Sequence, residues 1–178
     1  MGDDGQVRPS SRDSIHVRVA RASDETDLAA LDAMAWSPVS GFPSVIRATS
    51  GSFFTAASPP DIHLVAEVDG VVVGYIRLKP PTALPENAHV TEVSGLAVHP
   101  GARRHGVASA LLTAAERQAR ERHAAKLSLR VLSTNRPAIR LYRRLGFQRE
   151  GILRREFLIN GQYVDDVLMA KQLGTSGM

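Results

Sequence analysis

The chain has 178 residues, 43% hydrophobic and 22% charged, with a formal net charge of +4 and no cysteine. That balance belongs to a soluble globular protein, and the length suits one domain that buries about two-thirds of its unfolded surface. The lack of cysteine excludes disulfides, thiolate zinc sites and a cysteine nucleophile, and no apolar run approaches the ~20 residues of a membrane span.

Residues 1–14 carry Gly2, Asp3, Asp4, Pro9 and Ser10 with no apolar core. They read as a flexible tail rather than a signal peptide, and Gln6 breaks the myristoylation pattern. The expectation is a cytoplasmic protein whose single domain spans 15–173, followed by a short tail at 174–178. In residues 15–20, Ile15, Val17 and Val19 alternate with His16 and Arg18, the pattern of a strand. Ser23 is placed to cap a helix carrying Leu28, Leu31 and Met34, with Asp24, Glu25 and Asp27 in its first turn. Residues 36–60 are rich in Ser, Gly and Pro. They hold Trp36, Phe42, Phe53 and Phe54, with a short helical candidate at 44–49. A long aromatic loop serves either as a lid or as an anchored connection.

Two apolar runs, 62–68 and 71–78, meet at Asp69-Gly70, a hairpin signal. An exposed loop from Pro80 to Asn87 leads to a long strand at 89–98, in which Gly95 marks a bulge. Another strand follows at 127–132 with Leu127, Leu129 and Val131 on one face. A helix from Arg136 to about Leu145 then stops at Gly146. The last hairpin, 148–159 with 163–169, turns at Asn160-Gly161. Hairpins at both ends around a strand–helix–strand unit predict an α/β (α+β) fold, with a mixed, mostly antiparallel sheet of six to seven strands and about four helices.

The stretch that orders the rest is 93–112. A strand ends at Pro100-Gly101, a loop runs to His105, and Ala108, Leu111, Leu112, Ala115 and Ala119 then mark one helical face. A loop feeding a helix N-terminus offers unpaired N–H groups and the positive end of the helix dipole to an anion. Val107 and Ala108 replace the Lys and Ser/Thr of a Walker A loop, and Arg103 replaces the middle Gly of a dinucleotide fingerprint. What remains is Arg103-Arg104-His105-Gly106-Val107-Ala108. Some thirty residues on, Asn135 to Phe147 reads N-x-x-A-x-x-x-Y-x-x-x-G-F.

These two stretches resemble the pyrophosphate loop (R/Q-x-x-G-x-G/A) and the helix signature of the GNAT superfamily, the acetyl-CoA-dependent N-acetyltransferases. The resemblance runs from about Ile15 to Leu173. The run 151–166 is similar to the branch containing ribosomal-protein, polyamine and antibiotic acetyltransferases. It implies that the acetyl donor is acetyl-CoA, with no metal. It places the pyrophosphate on Arg103, Arg104, His105, Gly106, Val107, Ala108 and Ser109, and the pantetheine along the backbone of Leu96, Ala97 and Val98 and the Asn135 amide. The Tyr142 hydroxyl would point at the sulfur and protonate the leaving thiolate. Glu92 sits where several family members carry a base, and the amine must be neutral to attack a thioester. Backbone N–H groups near 96–98 would receive the oxyanion.

Charge is unevenly spread. Residues 101–155 hold 14 of the 22 Lys and Arg against three acids, a net of +11, which leaves −7 elsewhere. A basic patch is also the footprint of a nucleic-acid binder, but no aromatics interleave these arginines at stacking spacing. The resemblance implies as partner a small-molecule or peptide amine, rather than nucleic acid or membrane, bound by a monomer or homodimer. A non-catalytic acyl-CoA-binding module is the alternative. Glu92 and one of Asp165 and Asp166 suggest an acidic cleft for a cationic amine, walled by Trp36, Phe42 and Phe53.

Overall fold

A computed structural model describes residues 14–37, 41–42 and 51–174. The helical candidate at 44–49 lies outside them, as do nearly all of both expected tails. Seven strands form one sheet in the order β1-β2-β3-β4-β5-β7-β6. They are β1 (His16–Val19), β2 (His63–Val68), β3 (Val71–Lys79), β4 (Val90–Val98), β5 (Lys126–Leu132), β6 (Gln148–Ile159) and β7 (Gln162–Gln172). β4 and β5 run parallel, joined by a crossover helix, and every other pairing is antiparallel. Three α-helices accompany the sheet among the described residues: α1 (Glu25–Ala35), α2 (Val107–Glu121) and α3 (Arg136–Arg144).

Strand alternation assigns the helices to faces. Leu64, Ala66, Ile76 and Leu78 pack with Leu111, Leu112 and Ala115 of α2 and Tyr142 of α3. The intervening Val65 and Tyr75 pack with Leu28, Leu31 and Ala35 of α1. So α2 and α3 cover one face and α1 the other. Leu28 and Leu31 are fully buried, each worth about 1.5–3 kcal/mol. Gly74 lets α2 seat closely: a Cβ there would stand 3.0 Å from both the Ala97 carbonyl oxygen and Val107 Cγ1.

The start of α1 differs from the sequence expectation. Ser23 lies in a 3-10 turn, Ala22–Asp24, and Asp24 takes the cap position. Its carboxylate makes no cap bond because it is engaged elsewhere. Arg18 donates to it through Nη1 at 2.7 Å and Nη2 at 2.9 Å, and the Arg21 N–H donates at 2.7 Å. Met34 is 51% exposed; the buried stripe continues to Ala35, which meets Tyr75 and Ala97. Val19, expected to face inward, ends the edge strand 44% exposed. Both hairpin turns form where expected, with positive φ at Asp69 and Gly70 and at Asn160 and Gly161, the signature of a type I′ turn.

The central irregularity lies in β4. Arg77 of β3 pairs with Gly95 while Leu78 pairs with Val93, so Ser94 is an extra residue beside Gly95. On its other side β4 pairs with β5 only from Val90 to Val93. Beyond that point the two parallel strands separate, and β5 stays with β7 as far as Leu132.

Candidate active site

The separation of β4 from β5 opens a cleft of about 560 Å³ through the sheet. Glu92 and residues 93–96 line one side of it, residues 129–132 the other. Asn135 and Tyr142 close it from the α3 face, and Trp36 and Phe42 from the α1 face. Residues 96–98 pair with β3 through Ile76, Tyr75 and Gly74, and among the described residues no strand pairs with their opposite edge, which leaves main-chain groups there, the Val98 carbonyl apart, for an added partner.

β4 runs directly into the anion loop. Pro100–Ala102 form a 3-10 turn, and His99 Nδ1 accepts the Gly101 N–H at 3.1 Å. Arg104 has φ 67 and Gly106, the cap of α2, has φ 89. Two left-handed residues so close together turn the chain sharply into the helix, and only glycine takes such a φ without strain. The first backbone bond of the helix is Ala110 N–H to Gly106 O at 2.9 Å. The N–H groups of Val107, Ala108 and Ser109 therefore have no intrahelical acceptor and face an exposed loop. An anionic group fits there.

Not every loop side chain shares in this. Arg103 turns away: Nη2 donates to the Ala35 carbonyl at 2.7 Å and Nε to the Val98 carbonyl at 3.2 Å. It ties the C-terminus of α1 to the end of β4, and a cation at a helix C-terminus is favourable. Arg104 and His105 are exposed, and the Val107 side chain is in the core, so Val107 offers only its backbone.

Asn135 caps α3, its Oδ1 accepting the Ala138 N–H at 3.2 Å; the cap bond engages the oxygen and not the amide NH₂. Tyr142 sits two turns on, close to the helix end. That end is fixed by the Phe147 N–H on Tyr142 O at 3.0 Å and the Gly146 N–H on Arg143 O at 3.1 Å, with Gly146 at φ 91. This double bond pattern is a Schellman close. It turns Phe147 under Tyr142, ring centroids 5.8 Å apart. Burial pushes the Tyr142 hydroxyl up to about 12, so it stays protonated at neutral pH.

Glu92 lies on the cleft wall with Lys79 Nζ, its cross-strand neighbour, at 3.7 Å. Of the two hairpin aspartates, Asp166 faces the cleft and Asp165 faces outward to Arg154. Asp166 is buried and bonded to Arg130 at 2.5 Å, and Arg130 also reaches Glu156 at 3.5 Å. The lining thus carries three cations, Arg77, Lys79 and Arg130, against three anions, Glu92, Glu156 and Asp166. Among the described residues the lining is balanced rather than net-acidic, because a cation on the sheet stands beside each acid.

A second cavity of about 240 Å³ adjoins the cleft on the α1 face, sharing Trp36, Arg77, Ser94 and Gly95 with it. Its aromatic wall is Phe53, Tyr75, His63 and Trp36. Glu25 fixes that wall by accepting the N–H groups of Phe53 at 2.6 Å and Phe54 at 2.9 Å, which makes this part of the long loop an anchored segment. Asp32 Oδ1 accepts Trp36 Nε1 at 2.7 Å and the Tyr75 hydroxyl at 2.5 Å. Desolvation and the Asp32 charge raise the Tyr75 pKa well above the phenol range, and burial lowers that of His63. Sequence reasoning missed Asp32, Tyr75 and Arg77. The available signal was a polar Tyr75-x-Arg77-x-Lys79 face in an otherwise apolar strand.

A strand edge opened by a bulge and running into a free helix N-terminus defines a class of protein that holds an extended ligand with an anionic end. The comparisons narrow the class. Residues 28–147 match the model of the Acetyltransferase (GNAT) family, and the chain belongs to that family. It is 36% identical over 110 residues to the L-amino acid N-acetyltransferase AaaT of Escherichia coli, covering 61% of this chain and 67% of that one. It is 38% identical over 119 residues to an N-alpha-acetyltransferase of Sulfurisphaera tokodaii, covering 61% and 68%. Among solved structures, the acetyltransferase yncA of Salmonella typhimurium, determined with acetyl-CoA, superposes with a TM-score of 0.73 at 19% identity over 93% of this chain and 97% of that one.

Proposed function

We propose that this chain transfers an acetyl group from acetyl-CoA to a primary amine. The observation that carries the reading is continuity: the unpaired edge of β4 at 96–98 leads without interruption into the unpaired N–H groups of 107–109. An extended, polar arm ending in a pyrophosphate matches that path, arm on the strand edge and phosphates on the helix start. Acetyl-CoA supplies an activated thioester.

The chain's own residues do the rest. The backbone of Leu96, Ala97 and Val98 aligns the arm, and the Asn135 amide NH₂ adds a donor from α3. Arg104 contributes positive charge at the loop and His105 an exposed imidazole, while Arg103 holds the loop to α1. The Glu92 carboxylate, directly or through water, takes one proton from the acceptor ammonium, whose pKa is about 8 to 10.4 depending on the amine. The carbon–nitrogen bond forms as the carbon–sulfur bond breaks, and N–H groups on the β4 edge hold the oxygen's developing charge. The second nitrogen proton ends on sulfur. Burial holds the Tyr142 phenol protonated, with Tyr142 on the cleft lining. Tyr142 therefore serves as a hydrogen-bond donor that steadies the departing sulfur.

The test is release of free CoA thiol from acetyl-CoA across a panel of amines. Glu92→Gln is expected to lower kcat/KM about 100-fold and to shift the pH profile. Acetyl-CoA binding without thiol release for any amine would make the chain a non-catalytic acyl-CoA-binding module. Steeply salt-dependent RNA or DNA binding without CoA binding would point to the basic segment instead.

A further inference from the structure

We infer that Arg77 recognises a carboxylate on the acceptor, so that the preferred substrate is a free α-amino acid rather than a simple amine or a peptide N-terminus. The inference rests on the acetyl-transfer reading above and names its acceptor.

Arg77 belongs to the short set of residues shared by the two cavities. It is half-buried on β3, and no carboxylate pairs with it among the described residues. Its bonds are to neutral groups: Nε to Ser94 Oγ at 3.0 Å, Nη2 to the Ser94 carbonyl at 3.2 Å and Nη1 to Ser58 Oγ at 3.4 Å. A guanidinium carries five N–H donors, and these bonds use one on each nitrogen. One N–H on each terminal nitrogen is left over, the fork that meets a carboxylate in bidentate fashion. Partly burying a cation without a counter-charge is costly, and the ligand that would offset that cost is an anion. By contrast, the other cations of the cleft, Lys79 and Arg130, already have acids.

The acids of the same space complete the match. Glu92 lies on the cleft wall, and Asp32 lies in the adjoining cavity, with no ion pair to it among the described residues. Trp36 and Tyr75 both donate to Oδ1 of Asp32. A zwitterion meets both demands, its ammonium turned to the acids and its carboxylate to Arg77. In an α-amino acid these two groups are joined through one carbon, which suits a ligand placed where the two cavities meet, at Ser94 and Gly95. The side chain would enter the cavity of about 240 Å³ between Phe53, Tyr75 and Trp36. That volume is below the ~300–1,000 Å³ of pockets for drug-sized ligands and fits one apolar or aromatic side chain.

The test compares L-phenylalanine and L-methionine with their primary amides and with dipeptides beginning in the same residues, in thiol-release assays on the wild-type chain. The free acids are expected to exceed the amides and dipeptides at least tenfold in kcat/KM. Arg77→Gln is expected to raise KM for the acids about tenfold and to collapse the acid-over-amide ratio towards one, with KM for acetyl-CoA unmoved. Arg77→Lys should restore part of the ratio. The wild-type panel stands even if a variant fails to fold. Amides or dipeptides consumed as well as acids would overturn this inference and leave acetyl transfer intact. So would an Arg77→Gln loss shared equally by acids and amides. No thiol release with any amine would overturn both readings.

Discussion

The two halves of the cleft are built from different material. The half proposed for the donor is backbone: a bulged strand edge, a loop with two left-handed residues, and three N–H groups at a helix start. The half proposed for the acceptor is side chains: Asp32 from α1, Phe53 from the loop before β2, His63 from β2, Arg77 from β3 and Phe157 from β6. Backbone groups are the same in every sequence, so a donor site of this kind survives wide change in side chains. An acceptor site of side chains can be rewritten residue by residue without touching the donor.

Three substitutions sharpen that contrast. The largest effect is expected at Tyr142, where the cleft meets α3. Tyr142→Phe keeps the Phe147 contact and removes a hydrogen-bond donor to sulfur, so kcat should fall roughly 10- to 100-fold with acetyl-CoA affinity nearly unchanged. A Phe variant at full rate would make Tyr142 a packing residue. Next is Ala108→Asp, chosen over a change at Gly106 because φ 89 there makes any side chain strained. An acid in the first helical turn favours the helix itself yet repels a bound anion. Calorimetry should therefore show acetyl-CoA affinity down at least tenfold, about 1.4 kcal/mol, with thermal stability held. Unchanged affinity in the folded variant would move the phosphates elsewhere.

The smallest effect concerns the acceptor half alone. Arg18 bonds hold the Asp24 carboxyl below its usual range, with the Arg21 N–H helping and burial opposing. A depressed folded pKa contributes stability above the unfolded value of about 3.9. That stability is lost as pH falls through the lower folded value. Asp24→Asn should cost about 2 kcal/mol near neutral pH, and denaturant curves should show the gap to wild type narrowing below about pH 4. Because Asp24 fixes the start of α1, and α1 carries Asp32, the variant should raise the acceptor KM modestly and leave the acetyl-CoA KM alone.

The same contrast explains what could be read from the chain. Arg103 to Ala108 and Asn135 to Phe147 are contiguous, and the loop, the cap and the Schellman stop are local structures, so these structures and the fold class were legible. Ser23 misled because the carboxylate beside it is bonded by Arg18 at the end of β1, a contact that no capping pattern records. Arg103 was read as facing the phosphates, whereas its donors reach Ala35, 68 residues away in sequence. The acid-rich cleft failed for a related reason: counting charges along the chain says nothing of which cation stands across a strand pair. Arg77 and Tyr75 share one face of β3 and meet Asp32 only because α1 packs on that face, and Arg77 drew no notice as one charge in an apolar run.

Amide hydrogen exchange with and without acetyl-CoA tests the central claim most directly, because it reads backbone groups one segment at a time. The account predicts slowed exchange concentrated at residues 96–98 and 104–109, with the β6–β7 turn at Asn160-Gly161 unaffected. Saturating acetyl-CoA that left those two segments unchanged, or protected some other surface, would contradict it.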